Sequence, residues 1–88
     1  MPETLKLNDG TVFENSSAIL VSDLFVYIHD SDLQTVFDLL IDPDNTQKII
    51  YTQVNGESIA FVGYKKLRAV TDEGNGLITA VLRKEVTE

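Results

Sequence analysis

Residues 49–62 read IIYTQVNGESIAFV: two β-type runs flank Asn55-Gly56, and apolar residues fall on both faces of the pair. Asn-Gly between alternating runs is among the strongest hairpin signals and favours a type I′ turn, in which both central residues take positive φ. A two-residue loop predicts Val54 opposite Glu57, Thr52 opposite Ile59 and Ile50 opposite Phe61 on one face. The other face then receives Gln53 with Ser58, Tyr51 with Ala60 and Ile49 with Val62. A hairpin with one side in water needs a single apolar row. The second row here requires a cover: another sheet layer, the same sheet curled onto itself, or another protein chain. Ile49, Tyr51, Ala60 and Val62 are the candidate contact row in the last case.

The flanking sequence is also strand-like. TLKLNDGTVFE turns at Asp9-Gly10, which predicts a tight hairpin with Leu7 facing Val12. SAILVSDLFVYIH breaks only at Ser22-Asp23, and Leu24, Val26 and Ile28 alternate with Phe25, Tyr27 and His29, so this strand too is expected to be covered on both faces. Gly63 is read as a bulge or bend. LRAVT and LITAVLRK flank DEGNG; pairing Thr71 with Leu77 sets Val70 opposite Ile78 and Leu67 opposite Val81.

One helix is predicted over about residues 31–41. Ser31 and Gln34 stand in the S-x-x-Q relation of a capping box, which satisfies backbone donors at a helix start. Leu33, Val36, Phe37 and Leu40 follow the i, i+3, i+4, i+7 rule and form one apolar stripe. Asp32 falls in the first turn, where the helix dipole favours an anion, and Pro43 stops the helix by excluding helical geometry from the residue before it. About three turns are expected. The predicted fold is a single domain, 1–88, of the α+β class but mainly β: eight short strands in antiparallel hairpins, arranged as a small barrel or a sandwich, with one covering helix. An α+β roll is the nearest alternative.

Composition narrows the function more than it defines it. Eighty-eight residues support one modest core, and the 43% hydrophobic and 24% charged fractions are those of an ordinary globular chain. Without cysteine there is no disulfide, thiolate metal site or thiol redox chemistry. No apolar run approaches the roughly 20 residues that span a bilayer, and MPETLKLNDG lacks the basic start and apolar stretch of a secretory signal. The net charge of −7 disfavours direct contact with nucleic-acid phosphates. The charge is also uneven: residues 1–44 hold nine acids and one base, whereas residues 45–88 hold five acids and six bases. Such an asymmetry permits one part of a molecule to attract another part of its neighbour.

No residue pattern specifies a reaction. His29 is the only histidine, so it would have to be the base of any Ser-His-Asp triad; at a strand end beside Asp30 it is better read as orienting a loop. Gly74-Asn75-Gly76 lacks the third glycine and the strand-to-helix setting of a dinucleotide loop. The carboxylate clusters at Asp30/Asp32, Asp42/Asp44 and Asp72/Glu73 lack the alternating ligands of a calcium loop, and the helix ends and a polar turn account for them. No metal, cofactor, small-molecule substrate or catalytic residue is therefore assigned, and a non-enzymatic role is expected. The basic segment YKKLR, with Lys65, Lys66 and Arg68, reads as a strand edge whose charges discourage aggregation, or as the positive half of a self-complementary contact.

Taken together, the phrases LNDGTVFENSSAIL, LFVYI, FDLLIDPDNTQKIIY and YKKLRAVTDEGNGLITAVLRK cover most of the chain. The pattern resembles small uncharacterised proteins encoded in prophages and tailed phages of Gram-positive bacteria, which often lie among virion structural genes. The resemblance implies a structural or accessory protein made in the bacterial cytoplasm and incorporated into a phage particle. Two functions follow. The first is assembly by protein–protein contact, with another copy or with a larger virion protein. The second is an acidic inhibitor that mimics nucleic acid and blocks a host DNA-binding protein, using Asp30, Asp32, Asp38, Asp42 and Asp44 around the helix.

Overall fold

A computed structural model describes residues 3–85; Met1, Pro2 and residues 86–88, the ends of the predicted domain, lie outside them. In chain order the elements are β1 (Thr4–Lys6), β2 (Val12–Glu14), β3 (Ser17–Leu20), β4 (Leu24–Ile28), α1 (Leu33–Leu40), β5 (Lys48–Thr52), β6 (Ser58–Val62), β7 (Lys66–Gly74) and β8 (Leu77–Arg83). They form two antiparallel four-stranded sheets, ordered β2-β1-β5-β6 and β3-β4-β8-β7. The barrel is thus excluded: both sheets are open. The acidic and basic halves of the sequence are not separate bodies, because each sheet takes two strands from each half.

The core lies between the sheets. Leu5, Ile49 and Phe61 enter from the first, and Leu24, Val26, Ile28, Ile78, Ala80 and Leu82 from the second. Alternation explains these choices, since successive strand side chains point to opposite faces. In β4 the buried residues Leu24, Val26 and Ile28 interleave with half-buried Phe25 and Tyr27. Burying each such aliphatic side chain contributes on the order of 1.5–3 kcal/mol. The second sheet of the same chain thus covers one face of the central hairpin, while the hairpin's outer row, Ile50, Ala60 and Val62, stays half-buried or exposed.

The hairpin registers differ from those predicted. Asn55-Gly56 sits in a three-residue loop: the Gln53 N–H donates to the Glu57 carbonyl (2.8 Å), the Gly56 N–H donates to the Gln53 carbonyl (2.9 Å), and Gly56 has φ 90°. This is a type I turn closed by a glycine bulge, not a type I′ turn. Its register sets Ile49 opposite Phe61, Ile50 opposite Ala60, Tyr51 opposite Ile59 and Lys48 opposite Val62. Asp9-Gly10 behaves identically, with the Leu7 N–H on the Thr11 carbonyl (2.8 Å) and Gly10 at φ 96°, so Lys6 rather than Leu7 pairs with Val12. The tight turn occurs instead at Asn75-Gly76, where both residues have positive φ (55° and 78°). The strands around it pair Leu67 with Leu82, Val70 with Ala80 and Thr71 with Thr79, and Arg68 is the extra residue of a bulge.

The helix is eight residues long, just over two turns rather than three. Its N-cap is Asp32, not Ser31: the Asp32 carboxylate accepts from the Thr35 N–H (2.7 Å). Gln34 turns outward and donates to Asp38 (2.8 Å) instead of closing a capping box. The Ser31 N–H is used elsewhere, donating to the Gly76 carbonyl (3.2 Å), which seats the β7–β8 turn on the start of the helix. At Gly63 (φ 88°) the chain passes between the sheets: its N–H donates to Gln47 (2.8 Å) and its carbonyl accepts from Glu85 (3.0 Å). No helix among the described residues is long and apolar enough to cross a membrane.

Candidate protein-interaction site

The predicted contact row of Ile49, Tyr51, Ala60 and Val62 is not a single face. A one-residue change of register sends every side chain of one strand to the other side. Ile49 is accordingly buried and Tyr51 half-buried on the core face, whereas Ala60 and Val62 are exposed on the outer face with Lys48 and Ile50. Tyr51 is further committed by its hydroxyl, which donates to the Glu3 carboxylate. That hydrogen bond, then burial, then the adjacent negative charge push the phenol up to about 12.

The charged candidates fall in two places. Asp38, Asp42 and Asp44 are exposed on and just beyond α1. Asp38 accepts from Gln34, Asp42 accepts from the Asp44 N–H (2.9 Å), and the Asp44 carbonyl accepts from Asn8 (3.0 Å). These bonds tighten the helix and its exit. Lys65 is half-buried, while Lys66 and Arg68 are exposed at the start of β7. The bulge alters their relation: Arg68 is displaced from the alternation, Leu67 turns toward the core, and Arg68 lines the space between β7 and α1. Arg83 donates to Asp23 (3.1 Å), the only ion pair among the described residues.

The space beside Arg68 has no counterpart among the predicted features. It is an open groove of about 320 Å³. Leu33, Phe37 and Ile41 form one wall, and Leu67, Arg68 and Val70 form the other. With 3.6 residues per turn, the apolar positions of α1 span an arc wider than one contact can cover. Val36 and Leu40 occupy one side of that arc and are fully buried. Leu33, Phe37 and Ile41, spaced i, i+4, i+8, occupy the other and stay 40%, 42% and 49% exposed. The signal available in the sequence was Ile41, which extends Leu33 and Phe37 into a second stripe. Beyond the groove, β7 ends its sheet, so its outer row of backbone groups has no strand beside it.

A second depression, polar and more open, is lined by Glu3, Asn15, His29, Asp30 and Val54. His29 Nδ1 lies 2.7 Å from the Asn15 carbonyl. A carbonyl only accepts, so Nδ1 carries the proton, and the bond ties the end of β4 to the β2–β3 connection. Among the described residues no group of three His, Asp or Glu side chains is placed to hold a metal ion.

Comparison with known proteins adds no relative: the chain matches no protein-family model, no curated protein and no solved structure.

Proposed function

We propose that this chain is a phage-derived structural or accessory protein that works without catalysis, by protein–protein assembly, and that it docks through the groove between α1 and β7. The observation carrying this reading is the exposed stripe Leu33–Phe37–Ile41 beside an open strand edge. Scattered exposed apolar residues are ordinary, but an aligned set bordering a groove is the form of surface that protein partners bury. The protein is made in the host cytoplasm and joins the particle there. The nucleic-acid mimic has less support, because the carboxylates of Asp38 and Asp42 already serve local hydrogen bonds.

Particles induced from the host strain, purified by density gradient and analysed by mass spectrometry, test the reading. The wild-type chain is expected to co-sediment with intact particles, and Phe37→Asp to remove it from them while leaving it folded. A chain found only in particle-free fractions would sink the proposal. Salt-sensitive capture of a basic host DNA-binding protein, abolished by Asp38→Lys with Asp42→Lys, would move the assignment to the inhibitor.

A further inference from the structure

We propose that the groove's occupant is a second copy of this chain, whose β7 pairs antiparallel with the first across a two-fold axis at Val70. The inference rests on the assembly reading and names its partner. Three features of β7 support it. First, β7 is the longest strand, nine residues or roughly 30 Å, and it stands at the open end of its sheet. Bulges at Arg68 and Glu73 interrupt this edge, and the stretch between them is the part that can template another strand. Between its two irregularities the segment from Ala69 to Asp72 keeps a regular register with β8, so its outward backbone groups are evenly presented.

Second, one charge pair on the strand is antisymmetric about Val70: Arg68 and Asp72 stand two residues to either side of it, whereas Lys66 and Glu73 fall opposite Gly74 and Leu67. KLRAVTDEG opens with Lys66 and Arg68 and closes with Asp72 and Glu73, all exposed. The strand is neutral within a chain of net charge −7, so, like the uncharged edge strands β3 and β6, it does not repel a second copy through net charge. Reversing one copy against the other brings unlike charges together. With Val70 on the axis, Arg68 lies opposite the partner's Asp72, and symmetry repeats the pair. Isologous interfaces have this form: each residue of a contact pair occurs on both sides. Neither Lys66 nor Arg68 has a carboxylate within ion-pair distance among the described residues, so both cations are available.

Third, the flanking stripe fits the same symmetry. Leu33, Phe37 and Ile41 border the edge that would pair. A two-fold axis that pairs the strands antiparallel places the stripes of both copies on the same face of the joined strands. The charges that would deter indiscriminate edge pairing here select one orientation of one partner. The product is a dimer with a continuous eight-stranded sheet.

The test is a charge-exchange series on the full chain, read by sedimentation equilibrium and light scattering across protein concentrations. Wild type is expected to dimerise. Arg68→Glu alone sets two carboxylates against each other in both symmetric pairs, and Asp72→Arg alone sets two guanidinium groups against each other; each should weaken the dimer at least tenfold. Mixing the two single variants gives a heterodimer in which both symmetric pairs set a carboxylate against a guanidinium, so mixing is expected to restore dimerisation, and a mixture that stays monomeric would overturn the proposal. The double variant Arg68→Glu/Asp72→Arg restores unlike charges in both pairs and should dimerise again with near wild-type affinity. All of these sites are exposed, and circular dichroism verifies that the variants fold. A monomer at millimolar concentration would overturn the proposal, as would a dimer indifferent to the single substitutions or a double variant that stays monomeric. A monomer that still co-sediments with particles overturns the dimer and leaves the assembly role standing; a dimer absent from particles does the reverse.

Discussion

Ile49 lies directly opposite Phe61, and the two are 1% and 8% exposed, whereas the next pair along, Ile50 and Ala60, faces outward. This alternation gives neighbouring isoleucines very different energetic weights. Ile49→Ala removes atoms from a packed core and is expected to cost about 2–5 kcal/mol. Ile50→Ala, on the half-exposed outer face, should cost roughly 1 kcal/mol or less. Urea unfolding of the two variants distinguishes them, and equal losses would place the strand one residue out of register.

The Tyr51–Glu3 bond joins β5 to the start of the described chain and gives stability an alkaline limit. The phenol is raised from 10 to about 12 in the folded protein. The folded state thus holds this proton more tightly than the unfolded chain does. Its contribution is complete below pH 10 and is lost as pH rises toward 12. Thermal melts between pH 9 and 12 should show this loss in wild type and a smaller one in Glu3→Gln, which removes the charge next to the phenol. Identical slopes would mean that the carboxylate does not act on Tyr51.

Much of this architecture was legible because turn dipeptides and periodicity are local signals. Asp9-Gly10, Asn55-Gly56 and Asn75-Gly76 all fall in hairpin loops, and Leu33 to Leu40 is helical. Register was not legible, since glycine serves equally as the second residue of a type I′ turn and as the bulge residue of a three-residue loop. Asn75-Gly76 adopts the first form and Asn55-Gly56 the second. The basic part of the charged edge, Lys66 and Arg68, could be read directly, whereas Asp72 and Glu73, expected in a polar turn, lie within β7. The wall formed by Leu33, Phe37 and Ile41 could not, because periodicity defines an apolar arc but not how the helix is rolled within it. That roll is set by which side chains fit the core, here Val36 and Leu40.

Gly56 isolates the cost of backbone conformation. A Cβ built there meets nothing within 4 Å, so any loss on substitution comes from its φ of 90°. Gly56→Ala is expected to cost about 1 kcal/mol, and Gly56→Asn less, since asparagine tolerates left-handed backbone better than alanine. Denaturant titration should rank them glycine, asparagine, alanine. An alanine variant as stable as wild type would show that the loop has a different conformation.

Asp32 separates capping from charge. Its carboxylate accepts from the Thr35 N–H, and the Thr35 side chain, followed by this backbone bond, holds its pKa below the ordinary value of 3.8. The folded state releases this proton more readily than the unfolded chain, so the contribution is present above pH 3.8 and is lost as pH falls through the folded value. Asp9, lowered by its bond to Thr11, titrates in the same window and gives wild type part of the same acid slope. Asp32→Asn keeps a cap acceptor but removes the ionisation. It should therefore retain most of its stability at pH 7 while losing part of the slope below pH 4. Asp32→Ala removes both and is expected to lose stability at neutral pH as well, measured as a lower unfolding midpoint. If asparagine and alanine are equally destabilised at pH 7, the carboxylate acts through its charge on the helix dipole rather than through its bond to Thr35.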